Sequence, residues 1–304
     1  MKKQKNPAKK DHLLRCFKKE LGAWALLAPF LILLILIVWV PSIQGFIWSF
    51  FKMEGYTPSA FVGLKNYKIV IKNTDFKMVL GNTWKYVAYS VVLGYFLPII
   101  ITIAMNELTR GKSAFRFIYY LPSMIPSIAS SMLWYYVYYP NENGLLNMAL
   151  SFLGIEPRTW LGNPNLTILL LIVVSTWSAM GGSMLLYLAA LQGVNRELYE
   201  AAIVDGAGIF SRIRHVTIPG IASVLILQLV RMIIAVFQIL QEPLTMTGGG
   251  PNNASTSLGL LAYRYAFQNF QIGNAQVVNA IMFFILIIFT ILYFKLQNKV
   301  DQYI

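Results

Sequence analysis

The chain has 304 residues, of which 57% are hydrophobic and 12% charged, and it carries a formal net charge of +13. Its apolar residues form long uninterrupted blocks, which excludes a water-soluble globule and points to solvation by lipid. The basic residues gather at the ends of those blocks, not on one face with interleaved aromatics, so the charge reads as membrane topology and no nucleic-acid partner is expected. Cys16 is the one cysteine, and His12 and His215 stand apart from it. No intrachain disulfide, structural zinc site or catalytic constellation follows from that set, so no metal and no enzyme is expected.

Residues 1–20 hold eight lysines and arginines against Asp11 and Glu20, and read as a cytoplasmic basic tail. The charge-free stretch 21–51 is far longer than the apolar core of a cleaved signal, so it predicts a first transmembrane helix, helical from about Ala23 to Trp48, with Pro29 and Pro41 kinking it. Residues 52–82 are mixed and polar, with Gly55, Pro58 and Gly63, and are expected to be an extracellular connection with one or two short helices. Lysines at 52, 65, 68, 72, 77 and 85 argue against that side. The total decides: segments assigned to the cytoplasm hold 16 basic residues and those assigned outside hold 8, with Arg231 inside the membrane.

A second span is predicted from Thr83 to Met105, turning at residues 107–116. Gly111-Lys112-Ser113 in that turn resembles the end of a phosphate-binding loop, but Asn106 stands where the first glycine is required and a membrane helix precedes it instead of a strand. ATP is therefore expected on a partner. A third span is predicted from Phe117 to Tyr138, bent by Pro122 and Pro126, with Trp134, Tyr135, Tyr136, Tyr138 and Tyr139 as an aromatic belt that anchors in lipid or stacks on a sugar. Residues 140–164 form a loop with a short helix near 145–153. The fourth span, Leu166 to Leu191, contains Trp177-Ser178-Ala179-Met180-Gly181-Gly182-Ser183, with Tyr187 one turn on; this reads either as a helix-packing surface of small residues or as a bend lining a passage.

Residues 195–219, NRELYEAAIVDGAGIFSRIRHVTIP, are a charged helical island between apolar runs. Leu198, Ala201, Ala202 and Asp205 make a one-sided stripe, Asn195 is placed to cap the helix, and Glu197 and Glu200 sit where the helix dipole favours negative charge. Gly206 then breaks the helix, and a second segment carries Arg212, Arg214 and His215 before Pro219. The fifth span extends to about Pro243, apolar except for Gln228, Arg231, Gln238, Gln241 and Glu242. On a continuous helix Gln238 and Glu242 share a face, which suits an interhelical hydrogen-bond set or a sugar contact equally, while Arg231 lies too far below Glu242 to pair with it and reads as a brace. Thr247-Gly248-Gly249-Gly250-Pro251 marks an irregular external turn, a sixth span runs from Ala275 to Phe294, and 295–304 return to the cytoplasm.

Glu200-Ala201-Ala202, Asp205-Gly206-Ala207, Ile213, Val216 and Pro219 resemble the EAA loop of binding-protein-dependent ABC importer permeases. Ala190-Leu191-Gln192-Gly193, Glu197-Leu198-Tyr199 and Arg214-His215 resemble its carbohydrate-uptake branch, the maltose-transporter type, and the similarity runs loosely from Gly81 to Lys295. Asn195 stands where the family often has proline, and Ile213 and Val216 replace other apolar residues. The resemblance implies an all-α integral membrane protein of six transmembrane helices with the type I ABC importer permease fold: a five-helix core over 83–294 whose coupling loop, 195–219, docks on an ATPase. It implies coupling residues Glu200, Ala201, Ala202, Asp205, Gly206, Ala207 and Arg212. It also tips Trp177, Gly181, Gly182, Ser183, Tyr187, Gln238, Gln241 and Glu242 towards a substrate pathway, and likens the turn at 247–251, followed by Asn252, Thr256 and 263–267, to the family's outer loop beneath the binding protein.

The expected function is thus the permease subunit of an ATP-driven importer of sugars or oligosaccharides, working by alternating access in a plasma or bacterial inner membrane. Its partners would be two cytoplasmic ATPase subunits that bind the ATP and Mg, a second homologous permease, an extracellular solute-binding protein, the sugar and lipid. A self-contained secondary transporter or channel is the competing expectation; it needs midplane carboxylates, and Glu242 alone is thin support for it.

Overall fold

The structure, a computed structural model, describes residues 7–300 other than Thr109, with side chains from Glu20 to Asn298. Residues 1–6 of the basic tail and 301–304 of the second tail lie outside the described residues. Helix α1 starts at Pro7, within the expected tail, and continues through a π-helical stretch, Ile35–Trp39, to Trp48. None of its most apolar window is buried against the rest of the chain, as befits a helix solvated by lipid. Its last turns lean on the final helix: Gly45 lies against Gln276, and Phe46 meets Phe284 edge-on at 6.0 Å.

The connection after α1 departs from expectation. Phe51–Glu54 (β1) and Thr57–Phe61 (β2) form an antiparallel hairpin turning at Gly55, whose φ of +59° suits a residue without a Cβ. Pro58, which argues against a strand, is tolerated because a two-stranded ribbon is all edge. Helix α2 (Lys65–Lys72) follows, and α3 begins at Thr74, earlier than the predicted Thr83, because Asn73 caps it by accepting from the Asp75 amide at 2.9 Å. It runs 34 residues to Glu107, about 51 Å at 1.5 Å per residue and longer than a bilayer core.

The predicted third span is not one helix. Helix α4 (Lys112–Tyr120) passes into a 3₁₀ turn, Leu121–Met124, and α5 (Ser127–Val137) starts afresh. Ile125 is extended, with ψ of 131°, because the Pro126 ring disfavours a helical residue before it. After the short α6 (Leu145–Ser151), α7 (Thr167–Gln192) is a single unbroken helix, so the bend expected at 177–183 is absent. Helix α8 (Arg196–Val204) leads to α9 (Ile209–Gly220), which meets α10 (Ala222–Phe237) at 71°. The predicted fifth span ends early: helical geometry stops at Gln238, and resumes at Gln241 into a π-helical turn, Pro243–Thr247. Helices α11 (Leu258–Tyr263) and α12 (Ile272–Val300) complete the chain. Among the described residues, four helices are long and apolar enough to cross a membrane, or five if α9 and α10 count as one bent span.

The core lies where α3, α7, α10, α11 and α12 meet around Tyr86, Leu171, Phe237, Leu258 and Val277. Polar groups on α3 pin the loop before α11: Asn82 Nδ2 donates to the carbonyls of Asn253 and Thr256 at 2.9 and 3.2 Å, and Tyr86 Oη donates to the Ser255 carbonyl at 2.8 Å. Replacing Asn82 by leucine strands two carbonyls in a buried site and is expected to destabilise the fold by about 2 kcal/mol. Thermal unfolding of the purified protein in detergent checks this; an unchanged midpoint would show that the loop does not depend on Asn82.

Candidate functional site: an elbow and a polar cavity

Two features at different levels of the fold answer to the predicted residues. The first is the elbow. Asn195 caps α8 by accepting from the Glu197 amide at 3.0 Å. At the other end Gly206 adopts φ +75°, its amide donates to the Ile203 carbonyl at 3.0 Å, and the Ala207 amide donates to the Ala202 carbonyl at 2.9 Å. This is a Schellman termination, which satisfies the last carbonyls and needs a residue free to enter the left-handed region. Tyr199 ties α8 to the second arm through Thr217, Oη to Oγ1, at 3.0 Å.

That geometry sorts the predicted coupling residues. Glu200, Ala201, Asp205 and Gly206 are exposed, Ala202 and Ala207 are half-buried, and Arg212 is half-buried, with its Nε buried and, among the described residues, without a hydrogen-bond partner. The surface also presents Val204 and Phe210, 87% and 85% exposed, which the sequence reading did not single out. These two bare apolar side chains flank the glycine bend.

The second feature is a cavity of about 850 Å³ walled by α3, the broken α4–α5 segment, α7, α10 and the stretch after α10. Gly182, Ser183, Tyr187, Gln238, Gln241 and Glu242 all line it. Trp177 and Gly181 do not. Trp177 packs edge-on against Trp134 at 5.6 Å, and Gly181 is where the third segment leans on α7, since a Cβ there would lie 2.9 Å from Tyr120 Cα. Successive residues on a helix point about 100° apart, so the two readings of the Gly/Ser stretch divide between neighbours: Gly181 packs and Gly182 lines.

Gln238, Gln241 and Glu242 do come together, but not by helical spacing. The helix has ended at Phe237, and the Ile239 carbonyl left without its helical donor accepts from Ser257 Oγ. Gly259 makes the break possible, because a Cβ there would sit 2.7 and 2.8 Å from the carbonyl oxygens of Ile239 and Gln238. Arg231, read from the sequence as a brace, also lines the cavity, and so does a set of hydroxyls that the sequence did not single out, including Ser90, Ser123, Ser127 and Thr176. Scattered serines carry no sequence signal of their own; only the packing of three elements collects them.

Residues 94–302, well over half of the chain, match the family described as the binding-protein-dependent transport system inner membrane component. The chain belongs to this family. Among its relatives, the trehalose/maltose transport system permease protein MalF of Thermococcus litoralis is 32% identical over 93% of this chain and 95% of its own length. The multiple sugar-binding transport system permease protein MsmF of Streptococcus mutans is also 32% identical, over 91% of this chain and 96% of its own. In fold, the permease is similar to a chain of a bacterial ABC transporter that imports the acidic polysaccharide alginate, with a TM-score of 0.83 at 21% identity, covering 95% of this chain and 99% of that one.

The protein is therefore a multi-pass membrane permease subunit of an ABC importer, and not itself an enzyme. Membership sets aside the self-contained secondary transporter. At Gly111-Lys112-Ser113, Lys112 Nζ donates to the Asn106 carbonyl, and helix α3 precedes the turn. Among the described residues there is no group of histidines, cysteines or carboxylates able to hold a metal.

Proposed function

We propose that this permease carries sugars or oligosaccharides, as the names of its relatives say of them, and that it does so as half of a pathway completed by a second homologous permease. Two cytoplasmic ATPases holding ATP and Mg would grip the elbow, and an extracellular binding protein would deliver the cargo. The broken third segment and the bent α9–α10 pair count as crossings in this reading, giving six, with both termini in the cytoplasm.

One observation carries it: the elbow and the cavity wall share the bent α9–α10 pair. Helix α9 bends at Ile221 into α10, and α10 supplies Arg231 and ends at Gln238 on the cavity wall. Leu191 and Val194, flanking the start of the elbow, are buried with Ile221, Met105 and Met184 in one apolar cluster. Close-packed interiors transmit displacement instead of absorbing it, so a push on α8 reaches the wall of the cavity. Binding at the elbow shifts the access equilibrium only by the difference in its energy between the two states.

The cavity suits a glycan in chemistry. Its lining mixes serine and tyrosine hydroxyls with the amides of Gln228, Gln238 and Gln241, donors and acceptors that match sugar hydroxyls. The test is reconstitution of the chain with its co-purifying permease, ATPases and binding protein in proteoliposomes. Saccharide uptake that needs internal ATP and vanishes without the ATPase supports the reading, whereas uptake by the lone chain under a proton gradient would overturn it.

A further inference from the structure

Arg231 is a costly residue where it stands. It lies on the membrane-embedded helix α10, and an ionised side chain there is kept only where it faces a partner or a cavity. Among the described residues its one hydrogen bond is Nη1 donating to Gln228 Oε1 at a long 3.4 Å, and it forms no ion pair. A guanidinium has five donors in a planar fork, so most of its capacity is unspent and directed at the cavity it lines. Glu242, the other charged residue of the lining, does not spend it: among the described residues the two form no ion pair.

We propose that Arg231 is a specificity-determining residue that receives a carboxylate on the cargo, so that the substrate class is an acidic saccharide such as a uronate oligomer. This rests on the reading of the cavity as the cargo path. Two parallel N–H groups of a guanidinium match the two oxygens of a carboxylate, a geometry that a neutral sugar hydroxyl does not reproduce. The counter-charge also offsets the cost of holding a cation in the membrane. Hydroxyl and amide groups on the remaining wall serve the neutral part of the chain. A second, independent feature agrees: Lys65, Lys68, Lys72, Lys77 and Lys85 are all exposed on α2 and the start of α3, with Asp75 as the one acidic residue among them. A field of that sign raises the local concentration of an anion.

Binding of tetragalacturonate and of neutral galactotetraose to the assembled transporter in nanodiscs, measured by calorimetry, tests this. The acid is expected to bind about tenfold tighter or more, the range of a charge-assisted hydrogen bond. Arg231→Gln is expected to remove that preference by weakening the acid about tenfold more than the neutral tetramer, and Arg231→Lys to restore part of it. Equal or tighter binding of the neutral tetramer by the native transporter would overturn the proposal and leave the importer reading standing. Equal weakening of both ligands by Arg231→Gln would make the residue a brace. Binding of neither saccharide would overturn both this proposal and the assignment of the cavity to glycans.

Discussion

Glu200→Lys and Gly206→Asp are each expected to cut ATP-driven uptake by about tenfold or more, a loss of roughly 1.4 kcal/mol in coupling, while the subunit still reaches the membrane. Both residues are exposed, so neither change opens a cavity in the core. Reversing the charge at Glu200 sets a cation against the basic contact proposed on the ATPase, and losing one side of such an interfacial pair costs about 2–5 kcal/mol. At Gly206 a Cβ meets nothing within 4 Å, so the penalty is not a clash. It is the left-handed backbone, about 1–2 kcal/mol for a residue with a side chain, together with a carboxylate placed on the docking surface. Uptake into proteoliposomes alongside immunodetection of the membrane fraction separates uncoupling from misfolding. Normal uptake by both variants would remove the elbow from the mechanism.

Gly181→Leu is expected to abolish assembly or transport, whereas Gly182→Ala, one residue away, leaves both near native. The contrast is steric. A Cβ at position 181 would lie 2.9 Å from the Tyr120 Cα and 3.1 Å from its ring, and backbone atoms cannot rotate aside. Overpacking of this kind costs about 1–3 kcal/mol, and here it pushes the broken α4–α5 segment off α7 just where the two wall the cavity. At position 182 a Cβ meets nothing within 4 Å, and the methyl group enters the cavity instead. Thermal stability of the purified subunit and uptake by the assembled transporter give the two readouts. Equal tolerance of both substitutions would mean that the third segment does not pack as described.

What could be read from the sequence was whatever local chemistry fixes. Asn195 as a cap and Gly206 as a break depend on the side chain, or its absence, at one position, and both are found. The fourth span agrees to within a residue at each end, because a long apolar run bounded by polar turns has one solution in lipid. Pro122 and Pro126 announced a disturbance in the third segment but not that Ile125 would leave the helix altogether. The end of α10 carried no such warning. Nothing in Phe237-Gln238-Ile239-Leu240 breaks a helix by itself; the break is held by Ser257 and Gly259, about twenty residues later, which take the Ile239 carbonyl and the space beside it.

The candidate site shows the same division. Gln238, Gln241 and Glu242 were grouped through a helical register that the chain does not adopt, and all three line the cavity. Arg231 was read as a brace, and no local pattern placed it on the wall of a cavity. The hairpin at 51–61 escaped because Gly55 and Pro58 read equally as loop. Each of these turns on contacts between residues distant in sequence, which no local pattern records.

Cross-linking from the elbow decides whether a cytosolic motor grips it. With Cys16 replaced by serine, Val204→Cys and Phe210→Cys place single thiols on its two most exposed apolar positions. In the assembled transporter both are expected to cross-link to the ATPase subunit and to resist a membrane-impermeant maleimide applied to intact cells. Thiols that react with that reagent from outside, or that form no cross-link to the ATPase, would contradict the coupling mechanism proposed here.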